Sequence, residues 1–278
     1  MKSLMRHMRA MTKFDSILII GCGNMGGAML DGWLASGIAP QNFTVVDPKR
    51  EELPEGVRLL RELPEGETFD AILLGVKPQM LGDVVEDVEK LAGPDVAMLS
   101  ILAGVQLETL AKRFPRAQNV RVMPNLAVAL GKAPVALAAE GLSDEDMEAI
   151  KRFMEPLGTP EWIDESDFDL VTALAGSGPG FVYRFIDALA KGATAQGLPA
   201  EQAERLAVAM VEGASALAAN SPHNAGELAR RVASPGGVTQ AGLDVLDEGE
   251  AINRLMEKTL ATARDRSVAM AEEARAKD

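Results

Sequence analysis

Short runs of β-branched residues and leucine alternate with longer amphipathic stretches through the first half of the chain, and the second half carries only the longer pattern. The apolar runs at 16–20 (SILII), 43–46 (FTVV), 71–76 (AILLGV) and 96–102 (VAMLSIL) predict strands, with further strands at 120–122 and 135–137. Between them, helices are predicted at 24–36, 79–92 and 106–113. Strands that alternate with helices imply parallel pairing through crossovers, hence a doubly wound, Rossmann-like α/β layout. After the acidic run Asp164–Asp167 the strand-like runs stop, and helices are predicted at 179–197, 200–219, 224–232, 239–248 and 250–274. The expected architecture is therefore a loose extension over 1–12, a dinucleotide-binding domain over 13–164 and an all-α domain over 165–278. Small residues crowd several of the helices, as in 188–195 (ALAKGATA). Such faces pack closely, and a helical domain of this size would bury them against a second copy.

Composition narrows the chemistry. The formal net charge of −13 opposes nucleic-acid phosphates and anionic membrane surfaces alike, which favours a small-molecule substrate. One cysteine, Cys22, allows neither an internal disulfide nor a structural zinc site, and a reducing cytoplasm is the expected setting. Two histidines, His7 and His223, are too few for a histidine metal cluster, and a Ser-His-Asp triad finds little support, so no metal is expected. The basic start (Lys2, Arg6, Arg9, Lys13) lacks the apolar stretch of a signal peptide, and Met11 is as good a start as Met1.

Gly21-Cys22-Gly23-Asn24-Met25-Gly26 follows the first strand and opens the first helix, the context in which G-x-G-x-x-G binds a dinucleotide. The first glycine permits the turn, the second admits the pyrophosphate, and the third lets helix pack on strand. Asp47 ends the second strand at the distance expected of the acid that bonds the ribose hydroxyls, which taken alone predicts NAD. Lys49 and Arg50 follow at once and are able to neutralise a 2′-phosphate, so NADP and NAD both stay open. At the carboxyl ends of later strands stand Val76-Lys77-Pro78, Ala103-Gly104 and Met123-Pro124-Asn125. Lys77 is placed to offset cofactor charge, Pro78 to fix its loop, and Asn125 either to bond the nicotinamide side or to shape its own turn.

In the second half, Ser234-Pro235-Gly236-Gly237-Val238-Thr239 reads as a helix start that holds an anion. Ser234 is expected to cap, Pro235 to take the first helical position, and Gly236 and Gly237 to clear the way for a ligand. Ser177, in Gly176-Ser177-Gly178-Pro179, opens another helix, either as its N-cap or in contact with substrate.

The glycine loop, ValLysProGln, SerIleLeuAlaGly, ArgValMetProAsn, AlaGlySerGlyProGlyPheVal and SerProGlyGlyValThr span nearly the whole chain and together resemble the pyrroline-5-carboxylate reductase family. The resemblance implies reduction of 1-pyrroline-5-carboxylate to L-proline with NADPH or NADH, a helical domain that forms an intertwined homodimer, and further assembly in several members. It implies that Gly236, Gly237, Val238 and Thr239 bind the substrate carboxylate, with backbone N–H groups of Gly237–Thr239 and the Thr239 hydroxyl as donors. Thr239 and Ser177 are then the expected residues of the reacting centre. An imine is basic enough to be protonated by water or bound as iminium, so the scarcity of histidine raises no difficulty.

Four departures from the family pattern stand out. Leu126 replaces a threonine, Gly180 an alanine and Val238 a threonine, and Ser221–Ala225 replaces a segment that carries glutamate in many relatives. The last leaves room for a related cyclic imine acid as substrate, or for a dinucleotide-binding regulator without turnover. A β-hydroxyacid dehydrogenase pairs similar domains but needs a lysine where this chain has Val182.

Overall fold

The computed structural model describes residues 13–275. By compactness the chain divides into two units, one formed by residues up to Gly176 together with those from Ala263 on, the other by Ser177–Thr262. The sequence placed the division at 164/165. By compactness the break falls between Gly176 and Ser177, and the end of the last helix belongs to the first unit.

The first unit is built on one eight-stranded sheet: β1 (Ile17–Ile20), β2 (Phe43–Val46), β3 (Arg58–Leu60), β4 (Ala71–Leu74), β5 (Ala97–Ser100), β6 (Gln118–Met123), β7 (Ala133–Ala139) and β8 (Gly158–Trp162). Their order is β3-β2-β1-β4-β5-β6-β7-β8. The helices of this unit are α1 (Asn24–Ala35), α2 (Leu81–Leu91), α3 (Leu107–Arg113), α4 (Asp144–Met154) and the short α5 (Phe168–Val171). Strands buried on both faces explain the near-continuous apolar runs. Ile17, Ile19, Leu73 and Leu99 point to one core with Trp33 of α1, while Leu18, Ile20, Ile72 and Met98 point to the other with Val88 of α2 and Leu110 of α3.

One expectation fails. β7 pairs antiparallel with β6, Met123 opposite Ala136. Only residues 124–132 join the two strands, and they hold a tight turn at Leu126–Leu130 closed by Gly131 at φ +63°. A parallel return needs a crossover of a dozen residues or more. α4 supplies such a crossover to β8, which lies parallel to β7. Neither α4, β3 nor β8 is among the predicted elements. β3 has three residues, and β8 (GTPEW) contains Pro160 in an edge strand, so neither carries a usable period. α4 does carry its signals, a Ser143 cap on the Asp146 N–H and three acids in its first turn.

The second unit holds α6 (Gly178–Ala195), α7 (Ala200–Ala219), α8 (Ala225–Val232), α9 (Val238–Asp247) and the first part of α10 (Ala251–Arg275). All five were expected within a few residues. Ala203 and Ala207 are buried, but Tyr183, Leu217 and Val245 are each about two-thirds or more exposed, and Phe185, Met210 and Leu255 are exposed as well. Apolar surface on this scale marks an association face. Among the described residues no helix is long and apolar enough to cross a membrane.

Packing around α1 is tight. A Cβ at Gly32 would stand 2.3 Å from the Val128 carbonyl oxygen and 2.8 Å from Leu157 Cδ2. The Trp33 indole stacks on Phe153 at 4.7 Å and donates to its carbonyl. Gly82 in α2 has open space around it. Gly32→Ala is therefore expected to lower stability by at least about 2 kcal/mol, and Gly82→Ala to raise it by about 0.5–1 kcal/mol. Urea unfolding midpoints of the two variants check both signs.

Candidate active site

The strand order reverses between β1 and β4, and the chain there is glycine on both sides. Gly21 (φ +85°) would place a Cβ 2.8 Å from the Gly75 carbonyl carbon, and Gly75 would place one 2.5 Å from the Gly21 oxygen. Gly21 donates its N–H to Val46 and Gly75 donates to Ile20, which knits β1 to its two neighbours at this point. Gly26 packs equally close, 2.7 Å from the Gly21 oxygen. Gly23 differs: nothing lies within 4 Å of its Cβ position. It caps α1 in extended conformation without a side-chain bond, and the first bond of the helix runs from Gly27 to its carbonyl. The N–H groups of Asn24, Met25 and Gly26 are left without intrahelical acceptors at the positive end of the helix.

A cleft of about 960 Å³ opens over this point. Gly21, Gly23, Asp47, Lys49, Arg50, Val76 and Lys77, all singled out from the sequence, line it together. Asn24, Met25 and Gly26 form the adjoining first turn of α1, and Pro78 opens the tight turn Pro78–Met80 that leads into α2. Sequence reasoning missed the wall after β3, from Arg61 to Glu67. Arg61 braces it by donating to the carbonyls of Asp47 and Arg50. Its strand is too short to announce itself.

The Asp47 carboxylate accepts from Cys22 N–H at 2.8 Å on Oδ2, and from Lys49 at 2.8 Å and Arg50 at 3.0 Å on Oδ1. Burial opposes its ionisation, but these three bonds and the Arg50 charge outweigh burial and hold its pKa below the usual carboxylate range. Burial pushes the Cys22 thiol up, as suits a small filler beneath the loop.

Ala103, Gly104 and Asn125 do not line this cleft; they follow β5 and β6 at the same carboxyl edge of the sheet. Gly104 has φ +77°, a conformation that favours glycine, and a Cβ there would stand 3.3 Å from the Cα of Ala271 in α10, so local backbone and packing account for the glycine. Asn125 is buried; its Oδ1 accepts from Ala127 and its Nδ2 donates to the Ala175 carbonyl at 3.0 Å. It shapes its turn and tethers the π-helical stretch Thr172–Gly176 that leads to Ser177. Nearby, Arg121 is 5% exposed, pairs with Glu165 at 2.8 Å and lies 3.6 Å over the Phe168 ring. Glu165 also accepts the Leu107 N–H, so one ion pair fastens β6, α3 and the start of α5. Arg121 belongs to the ArgValMetProAsn motif, but nothing local announces this pairing, because its partner lies far along the chain.

In the second unit, the helix start at Ser234 differs from expectation. The Gly237 N–H donates to the Ser234 carbonyl at 2.8 Å, and Gly236 has φ +70°. Ser234–Gly237 is thus a turn with Pro at its second position and Gly at its third, the pattern of type II. The cap of α9 is Gly237 rather than Ser234, and Pro235 precedes the helix. The first bond of the helix runs from Ala241 to Gly237, so the free N–H groups are those of Val238, Thr239 and Gln240, whereas that of Gly237 is engaged. Thr239 is exposed. Ser177 precedes α6, but its hydroxyl makes no capping bond.

A family model for pyrroline-5-carboxylate reductase dimerisation matches residues 165–270, and one for NADP oxidoreductase coenzyme F420-dependent matches residues 16–104. Pyrroline-5-carboxylate reductase from Pisum sativum is 33% identical over 252 residues, 88% of this chain and 92% of the relative. The enzyme of that name from Aquifex aeolicus is 36% identical over 254 residues, 86% and 94% of the two chains. The solved pyrroline-5-carboxylate reductase from Coxiella burnetii superposes with a TM-score of 0.87 at 27% identity over 93% of this chain and 99% of its own. A Plasmodium falciparum pyrroline carboxylate reductase with NADP bound shares the fold at a TM-score of 0.78 and 23% identity, over 94% and 99% of the two chains.

The glycines separate a ligand cradle from a packing contact. Gly23→Ala is expected to leave the thermal midpoint unchanged and to weaken dinucleotide binding at least about tenfold, because its methyl enters the space that a pyrophosphate would fill. Gly26→Ala is expected to lower the midpoint itself. Thermal melts and nicotinamide fluorescence titrations on both variants check the contrast.

Proposed function

The chain belongs to the pyrroline-5-carboxylate reductase family, and on that premise we propose that it reduces 1-pyrroline-5-carboxylate to L-proline with NADPH or NADH. The observation that carries this reading is the match to named reductases over 86% or more of the chain, across both the dinucleotide-binding and the helical parts. The residues fit the cofactor. Gly21, Gly23 and the first-turn N–H groups of α1 would hold its pyrophosphate, with Asp47 at the ribose and Val76 and Lys77 along the same cleft. When bound, it supplies the hydride that the imine carbon receives.

The substrate is a ring with one carboxylate and one C=N bond, so the protein must hold the first to aim the second. Val238 and Thr239 offer N–H donors at the positive end of α9, and the Thr239 hydroxyl adds a third. Gly236 keeps the approach open, and Gly237 closes the turn through its own N–H instead of meeting the carboxylate. Val238 is 94% exposed and contributes only its backbone. Ser177, with its hydroxyl uncommitted at the start of α6, is a further donor for the ring. Ala103, Gly104 and Asn125 would border the nicotinamide from the ends of β5 and β6, Asn125 by fixing its turn. The imine nitrogen takes its proton from water or enters already protonated as the iminium. Val182 stands where a β-hydroxyacid dehydrogenase needs its lysine, which disfavours alcohol oxidation.

The exposed apolar residues of α6–α10 support a homodimer through the helical unit, with higher assembly as in several family members. The cytoplasm is the proposed compartment.

Thr239→Ala is expected to raise KM for pyrroline-5-carboxylate about tenfold or more while cofactor affinity stays nearly constant. Steady-state kinetics with both substrates varied checks this, and an equal loss for cofactor would remove Thr239 from the carboxylate. Light scattering at micromolar concentration is expected to give twice the 29.5 kDa chain mass, or a multiple of that dimer.

A further inference from the structure

The cleft holds a fixed anion where the adenosine ribose of a dinucleotide would lie. A ribose with two free hydroxyls wants an acceptor held in place, whereas a 2′-phosphate wants cations free to close on a dianion. Asp47 is held in place: its bonds from Cys22, Lys49 and Arg50 occupy three of its acceptor positions and leave one on Oδ2, beside the glycine loop. Turning the carboxylate away would strand those three N–H groups.

Of the neighbouring cations, Arg61 and Arg50 are partly tied to the main chain. Arg61 donates to the carbonyls of Asp47 and Arg50. Arg50 donates through Nε to the Glu52 carbonyl, and its guanidinium lies against the face of Gly27. Lys49 is exposed, and Glu62, Glu65 and Glu67 share its stretch of wall. The backbone bonds that fix Asp47 also keep it ionised near neutral pH.

We propose that Asp47 makes this chain select NADH over NADPH, its Oδ2 accepting a ribose hydroxyl and its charge opposing a 2′-phosphate. The proposal rests on the reading of the cleft as a dinucleotide site. Selection runs against what Lys49 and Arg50 suggest by sequence alone, because the acid is immobilised and Arg50 and Arg61 are tied to main-chain carbonyls.

The test is equilibrium binding of NADH and NADPH to the full chain without substrate, read by nicotinamide fluorescence, with AMP and adenosine 2′,5′-bisphosphate as competitors. NADH is expected to bind at least about tenfold more tightly than NADPH, and AMP to compete better than the bisphosphate. In Asp47→Asn the NADH advantage is expected to shrink about tenfold, by a gain in NADPH affinity as well as a loss for NADH. Equal or tighter binding of NADPH by the unaltered protein overturns the proposal and leaves the dinucleotide site standing. An unchanged ratio in a folded Asp47→Asn protein also overturns it. Failure of both dinucleotides to bind removes the site and the proposal together.

Discussion

The rest of the first unit depends on the meeting of two glycine backbones, Gly21 and Gly75, where the sheet reverses direction. Neither position accepts a Cβ, and each N–H is committed to a neighbouring strand. That contact brings the ends of β1 and β4 together, and the cleft opens above it. Gly26 then presses α1 against the Gly21 carbonyl, which aims the first turn of the helix into the cleft. Close packing at Gly21, Gly26 and Gly75 contrasts with Gly23, which has open space before it.

The same device recurs in the helical unit with different surroundings. α1 and α9 each begin at a glycine in extended conformation with no side-chain cap, and each leaves three first-turn N–H groups without intrahelical acceptors. In α1 the preceding strand fixes the turn. In α9 the turn is fixed by Pro235 and by Gly236 at positive φ. An anion suits either end, because each is the positive end of a helix with unpaired N–H groups.

Much of this was legible in the sequence because it is local. The apolar runs of β1, β2, β4 and β5, the G-x-G-x-x-G loop and the five helices of the second unit each carry their signal within a few residues. What escaped depends on distant partners or on length. β7 turned antiparallel because nine residues cannot make a crossover, a matter of connection rather than of strand propensity. Arg121 needed Glu165 and Phe168, and the Arg61 wall needed the carbonyls after β2. Ser234 looked like a cap because serine usually is one, but Pro-Gly at the centre of a turn has the stronger claim on the backbone.

The central claim is hydride delivery to a cyclic imine carbon, and isotope transfer tests it most directly. Reduced dinucleotide deuterated at nicotinamide C4 on the transferred face, incubated with 1-pyrroline-5-carboxylate and the full chain, should give proline with one deuterium on the ring carbon beside nitrogen that does not bear the carboxylate. The account predicts that label at that carbon by NMR or mass spectrometry. Proline without deuterium, or dinucleotide oxidised with no proline formed, would contradict it.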